Sequence, residues 1–274
     1  PDLSIPNSIS KGERKRKSRT AVTNSKMKIT VLYSEMAEYT IACLKQLALI
    51  DNGIQLVHWP INPEAPFKFD LSFCEVVISR ESTTFYDLLD SVRNFNPDLI
   101  LCSGWMDRDY VKVCNHFKGD VPTILSMDNH WEGSLKQHIA RLVSPFTIQK
   151  AFSHAFVPGH VQENYALKLG FDEKQIKLGF YSADTSRFDQ YFDEIGQKKL
   201  DQFPKRFLFL GRYVKHKGVS ELWEAFQKVH FQFPDWELWC VGTGDQYEER
   251  VERDGIKHFG FVQPSDLKQI GRAH

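Results

Sequence analysis

From residue 27 onward, short apolar runs alternate with segments whose apolar positions recur every three to four residues. Ile29–Tyr33 is a near-continuous apolar run, the pattern of a strand buried on both faces. Ile41, Leu44 and Ala48 then share one helical face, closed by Asp51-Asn-Gly53. The same reading predicts strands over 54–59, 75–79, 97–102, 121–126, 151–157 and 176–180, with a helix over 82–95 and a long helical stretch after 126. Residues 181–205 read as a polar connector ending in Phe203-Pro204. The pattern restarts at Arg206–Gly211, followed by a helix with Leu222, Ala225, Phe226 and Val229 on one face. A strand over 236–241 and a short strand and loop over 255–262 flank a turn at Gly242-Thr-Gly244, and a helix capped by Ser265 or Asp266 starts at Pro264.

Strand-helix alternation with short connections predicts an α/β fold: parallel sheets, right-handed crossovers and helices on both faces. The expected arrangement is two Rossmann-like lobes around a cleft. Residues 1–26 form a basic disordered extension, 27–181 the first lobe, 182–205 a connector and 206–274 a second lobe. With about three strands, that second lobe is roughly half of a doubly wound sheet and reads as incomplete.

Composition narrows the class. At 274 residues, 42% hydrophobic and 26% charged, the chain is globular and long enough for two domains. No apolar stretch approaches the roughly 18 residues of a membrane span, and no secretory signal opens the chain. The zero net charge hides an asymmetry. Residues 1–26 carry seven Lys/Arg against two Asp/Glu, leaving 28 against 33 for the rest. A mildly acidic body argues against nucleic acid as a partner. Met27 is an alternative start, because the opening strand follows it directly. Five scattered cysteines with no C-x-x-C pair suit a reducing, cytoplasmic setting, with Cys102 and Cys240 as core residues.

The most informative stretch is Gly211-Arg-Tyr-Val-Lys-His-Lys-Gly218, where the first strand of the second lobe ends and its helix begins. Ligands of open α/β sheets bind at such carboxyl ends, and a helix N-terminus there favours an anion. Arg212 and Lys217 bracket the loop and suit a diphosphate. Each contact at about 4 Å is worth about 4 kcal/mol before desolvation at an effective dielectric near 20.

Phe207-Leu-Phe-Leu-Gly-Arg-Tyr-Val-Lys-His-Lys-Gly-Val-Ser-Glu-Leu-Trp-Glu-Ala-Phe226 resembles the opening of the donor domain of family 4 glycosyltransferases. Leu238-Trp-Cys-Val-Gly-Thr-Gly-Asp245 and His258-Phe-Gly-Phe-Val-Gln-Pro-Ser-Asp-Leu267 follow in the family's order. Upstream, Tyr165-Ala-Leu-Lys-Leu-Gly170 and Ile176–Phe188 resemble the end of its acceptor domain. The resemblance implies a retaining GT-B enzyme that uses a nucleotide sugar, UDP- or GDP-hexose, with no metal or other cofactor. Its partners would be that donor and a glycan or lipid-linked acceptor, with peripheral association at the inner membrane face. It assigns Gly211, Arg212 and Lys217 to the donor diphosphate, and Gly242, Gly244, Phe261 and Val262 to the nucleotide. The family's acidic Glu-x7-Glu element would lie beyond residue 274, which reads as a fragment of a longer enzyme. The glycine-rich first loop common in the family is here Ser34-Glu-Met-Ala-Glu-Tyr39, without glycine.

In the first lobe, Ser126-Met-Asp-Asn-His-Trp-Glu-Gly133 follows a strand, placing Asp128, Asn129, His130 and Trp131 at the cleft mouth. The resemblance gives His130, with Asp128, the catalytic positions near the transferred sugar. Asn129 and a stackable Trp131 suit sugar hydroxyls and C–H faces, and Gly104 and Trp105 line the acceptor side. Asp107-Arg-Asp109 spells the D-x-D of metal-dependent transferases but sits where a helix cap is expected. His154 and His160 bracket a turn and read as structural or exposed. The rivals are a two-lobed ligand-binding protein without chemistry and a nucleic-acid binder driven by the basic tail.

Overall fold

The computed structural model of the chain describes residues 26–201 and 204–270. The basic extension expected over 1–26 lies outside them except for Lys26, as do Phe203 at the connector's end and residues 271–274. Strands β1 (Lys28–Tyr33), β2 (Gly53–His58), β3 (Val76–Ser79), β4 (Leu99–Ser103), β5 (Thr123–Ser126), β6 (His154–Val157) and β7 (Ile176–Leu178) form one sheet. Its order is β3-β2-β1-β4-β5-β6-β7, parallel throughout. Strand alternation splits its residues between two cores. Ile29, Val31, Tyr33, Ile54 and Leu56 pack on one face, while Leu32, Val57, Ile100, Cys102 and Leu125 pack on the other. Both faces are covered, so the strands read as apolar runs rather than alternating ones.

The helices are α1 (Glu38–Leu49), α2 (Phe85–Phe95), α3 (Arg108–Phe117), α4 (Leu135–Val143), α5 (Ile148–Ala151) and α6 (His160–Lys168). Their starts are written in side chains. The hydroxyl of Thr84 accepts from the amide of Asp87, and Asp107 accepts from those of Asp109 and Tyr110. Ser134 and Gln137 form a reciprocal capping box at α4. Ala151, expected in a strand, ends α5 instead, and β6 begins three residues later.

The stretch expected as a connector holds helix α7 (Thr185–Asp201). Arg187 ties it to α1 through Glu38 at 2.8 Å. Strands β8 (Arg206–Leu210), β9 (Glu237–Val241) and β10 (Ile256–His258) form a second parallel sheet in the order β10-β9-β8. Helix α8 (Val219–Gln232) covers one of its faces, and a short α9 (Leu267–Ile270) ends the described chain. The buried face of α8 is Val219, Trp223 and Phe226, rather than the stripe that includes Ala225 and Val229, which are exposed. Leu238 and Cys240 join that core, whereas Trp239, pointing the other way, is covered by Arg206 at 4.2 Å from its ring centroid, by Lys257 and by the ring of Phe259 at 4.9 Å. Cys102 and Cys240 are buried, as expected of small core residues, Cys114 is buried too, and the five cysteines are free. No helix among the described residues is long and apolar enough to cross a membrane.

Candidate functional site

The two sheets turn their carboxyl ends toward a common cleft. On the second lobe, Gly211 donates its amide to the carbonyl of Val241 (3.0 Å), and Tyr213 donates to that of Thr243 (2.9 Å). The β8–α8 loop therefore lies flat on the loop after β9. Only glycine permits this. Gly242 and Gly244 have φ of +138° and +155°, and a Cβ on Gly242 would overlap the carbonyl of Gly211. Tyr213 is fully buried among Trp223, Tyr247 and His258, its hydroxyl 3.0 Å from His258 Nδ1. The buried neighbour holds the loop while Arg212 reaches across the cleft. There Nη1 of Arg212 lies 3.8 Å from both Glu35 Oε1 and Glu64 Oε2. Lys215–Lys217 make one exposed turn, closed by Gly218 in the left-handed region at φ +67°, and α8 starts there.

The loop between β2 and β3 completes the seam. The hydroxyl of Thr243 donates to the carbonyl of Glu64. Gln263 donates to the carbonyl of Pro66 (2.8 Å) and accepts from the amide of Lys68 (3.2 Å). Phe261 packs edge-on against Phe67 at 5.1 Å. Phe261 is thus part of the contact between lobes, with Val262 beside it half-buried. This loop carries no periodic signal, and its partners lie nearly two hundred residues away, so sequence reading missed it.

On the first lobe, the order of strands reverses between β1 and β4, which places the crevice over Ser34–Glu35 and Gly104–Trp105. Gly104, at φ +69°, has nothing within 4 Å of where a Cβ would sit. Asp128 Oδ2 accepts from the hydroxyl of Tyr181 at 2.7 Å, and Tyr39 stands edge-on to that ring at 5.1 Å. Burial and this bond to Asp128 push the Tyr181 phenol well up, so it stays a donor. Asn129 and His130 are exposed on the rim, with His130 Nε2 3.5 Å from Glu132 Oε1. The ring of Trp131 takes another course, tilted against Tyr165 at 5.6 Å and lying under Lys168. Trp105 also leans on Tyr165, at 6.2 Å. Both rings are half-buried there, and of the two only Trp131 was expected to stack on sugar.

Asp107 and Asp109 serve the fold. Both bind the guanidinium of Arg80, at 2.9 and 2.7 Å, and Asp107 caps α3. Among the described residues no group of three or more His, Cys, Asp or Glu is arranged to hold a metal. His154 lies beside Ser153, and His160 is exposed beside Glu163. A polar hollow of about 610 Å³, lined by Lys205, His230, Asp235 and Asp254, lies at the amino ends of β8 and β9, away from the cleft.

Residues 204–274 match the family model of glycosyl transferases group 1. Solved structures agree on the architecture. A glycosyltransferase from Rickettsia africae superposes with a TM-score of 0.60 at 12% identity, covering 90% of this chain and 71% of that one. Anabaena HepE in complex with UDP and glucose gives 0.60 at 14%, with 90% and 72% covered. UDP-GlcNAc 2-epimerase from Neisseria meningitidis, bound to UDP-GlcNAc, gives 0.55 at 11%, with 90% and 76% covered. The fold is GT-B-like. No curated protein matches the chain. In this GT-B-like frame the matched region holds the whole β8–α8 loop, and the first lobe supplies Glu35, Glu64 and the Asp128–His130 rim.

Proposed function

We propose that the chain is a glycosyltransferase that moves a hexose from a UDP- or GDP-sugar to a glycan or lipid-linked acceptor, with retention and without a metal. The observation that carries this is Arg212, aimed into the interlobe cleft from the β8–α8 loop, within the stretch that matches the glycosyl transferase model. In this reading the second lobe binds the donor and the first lobe binds the acceptor. The diphosphate replaces Glu35 and Glu64 as the partner of Arg212, while Lys217 and the free amides at the start of α8 add positive potential. The nucleotide rests on the Gly242–Gly244 turn, bounded by Phe261 and Val262. As the bond from the anomeric carbon to the phosphate oxygen breaks, charge grows on the leaving phosphate, where Arg212 and Lys217 stabilise it. The acceptor oxygen bonds to that carbon from the same face, and its proton passes to the leaving phosphate. His130, Asp128 and Asn129 position sugar and acceptor at the rim, and Gly104 leaves room for the acceptor. Free cysteines fit a cytoplasmic setting.

Calorimetric titration with UDP and GDP in EDTA, alongside Arg212→Ala, tests the donor site. A charge-assisted contact of about 1.5–3 kcal/mol predicts binding roughly 10- to 100-fold weaker in the variant. Equal affinity in the two proteins refutes the assignment, as does failure of the intact chain to bind either nucleotide. Release of UDP from UDP-hexose only with a hydroxyl acceptor separates transfer from epimerisation and from binding without chemistry.

A further inference from the structure

The loop between β2 and β3 holds a preformed tip. Its flanks are anchored in the first lobe, where Ile61 and Phe69 pack on the core that contains Ile54 and Leu56. Between them Asn62 folds the tip. Its side chain accepts from the amide of Glu64 (2.9 Å), and its carbonyl accepts from that of Ala65 (2.9 Å). Pro60, Pro63 and Pro66 fix φ at three positions, so the loop has little freedom to lose when it docks. It docks on the second lobe's cleft face. Glu64 sets a carboxylate 3.8 Å from Arg212, and Phe67 sets a ring edge-on to Phe261 at 5.1 Å. The carbonyl of Pro66 and the amide of Lys68 meet the two ends of the Gln263 amide, at 2.8 and 3.2 Å. The carbonyl of Glu64 accepts from the hydroxyl of Thr243, which lies between Gly242 and Gly244. The tip thus presents an anion, a planar ring, and an acceptor beside a donor. A nucleoside diphosphate offers the same three groups in its phosphates, its base and the base's edge.

We propose that the β2–β3 loop is a built-in competitor of the nucleotide: its tip and a nucleoside diphosphate occupy the same face of the second lobe in mutual exclusion. This inference rests on the proposed donor-site reading. The geometry leaves no room for both. Phe67 in edge-on contact with Phe261 admits no third ring between them, and Glu64 stands where a phosphate oxygen meets Arg212. The contacts are also few. They comprise one ring pair, three hydrogen bonds and one ion pair between side chains 39% and 41% exposed, each a weak interaction that a ligand can displace. Nucleotide binding therefore parts the seam between the lobes. By reciprocity, the closed seam weakens nucleotide binding by the factor with which nucleotide opens it. The apparent dissociation constant is the intrinsic one divided by the fraction of chains whose loop is withdrawn. A clamp behaves in the opposite way, because a loop that closes over its ligand tightens the hold.

Calorimetric titration of the full chain with UDP, wild type against Phe67→Ala, tests this. The expected result is binding roughly tenfold tighter in the variant, since loss of the ring pair raises the fraction of chains with the loop withdrawn. Glu64→Gln repeats the test on a half-exposed side chain without disturbing packing, and should also tighten binding severalfold. Hydrogen exchange adds a readout that a merely structural loop would not move. UDP should speed exchange at the amide of Lys68, which the closed seam protects through Gln263. Unchanged or weaker binding of UDP by both variants overturns the competition, and so does slower exchange at Lys68 when UDP is added, the mark of a clamp. In those cases the donor site stands as long as Arg212→Ala still weakens UDP binding. If UDP binds neither the intact chain nor the two loop variants, the donor-site reading falls and the competition falls with it.

Discussion

Arg80, directly after β3, joins three elements of the first lobe. Its guanidinium donates to Asp107 (2.9 Å), to Asp109 (2.7 Å) and to the carbonyl of Thr83 (2.6 Å), between the rings of Trp59 and Tyr110. The side chains of Arg80 and Asp107 are 11% and 7% exposed. Arg80→Met keeps the stem and removes every donor, leaving the Asp107 carboxylate buried with only the indole of Trp59 and the α3 amides. Removing one partner of a buried pair costs about 3–5 kcal/mol. Asp109 keeps Lys112 at 2.9 Å and is partly exposed, which puts the expectation near the lower end, about 3 kcal/mol. Pairing Arg80→Met with Asp107→Asn should recover part of that loss, with a coupling of about 2 kcal/mol. Hydrogen exchange of β2, β3 and α3 amides across a urea series reads the first lobe by itself. A loss under about 1 kcal/mol for Arg80→Met, or additive losses in the double variant, refutes the claim that this cluster holds the lobe together. The same exchange data carry a second signature. Trp59 begins the loop that reaches the second lobe, so losing the guanidinium stacked on its ring should speed exchange at the amide of Lys68, which is bonded to Gln263.

Two further predictions follow from buried groups. Burial pushes the Tyr33 phenol from 10.0 up to about 12, so the fold favours its neutral form. That stability is complete below pH 10 and lost as pH rises to about 12. Urea midpoints over this window should therefore fall less steeply in Tyr33→Phe, by about 1.4 kcal/mol per pH unit, and identical slopes contradict the assignment. Gly242→Ala should displace the β8–α8 loop, since its φ is +138° and its Cβ would overlap the carbonyl of Gly211. A cost of about 2 kcal/mol or more, and weakened UDP binding, are expected by chemical denaturation and calorimetry. A variant with wild-type stability would show that this loop contact is dispensable.

The sheet of the first lobe was legible because residues such as Val31, Leu32 and Leu56 are buried on both faces and leave unbroken apolar runs. Strand β9 of the second lobe was legible for a related reason: Leu238, Cys240 and Val241 are buried together. Helix α7 reads as a connector because its sequence is largely polar, and its Phe188 and Phe192 are exposed. In α8, periodicity named the right element but rotated its face, because Trp223 outweighs Ala225 and Val229 once a single layer of core is available. Helix α4 shows the limit most plainly, because its Leu135, Ile139 and Leu142 are exposed: a stripe of period 3.6 states that one side is apolar, not which way that side points. The β8–α8 loop stood out through its Gly211 and Gly218 punctuation and its cations. Glu35, Glu64 and Arg80 did not, because what matters about them is a partner far along the chain.

Arg212 meets its two carboxylates across the cleft, and the three side chains together carry one net negative charge. A cation neutralised at rest projects little field beyond a Debye length, so it does nothing to draw an anion in from solution. Capture then falls to the exposed Lys215 and Lys217, which lie further along the same loop. On the proposed donor-site reading, Arg212 acts after arrival, when an incoming anion has exchanged places with the carboxylates, and its contribution appears in the lifetime of the complex rather than in the frequency of encounters. The proposed donor would thus be held by a charge it first had to release.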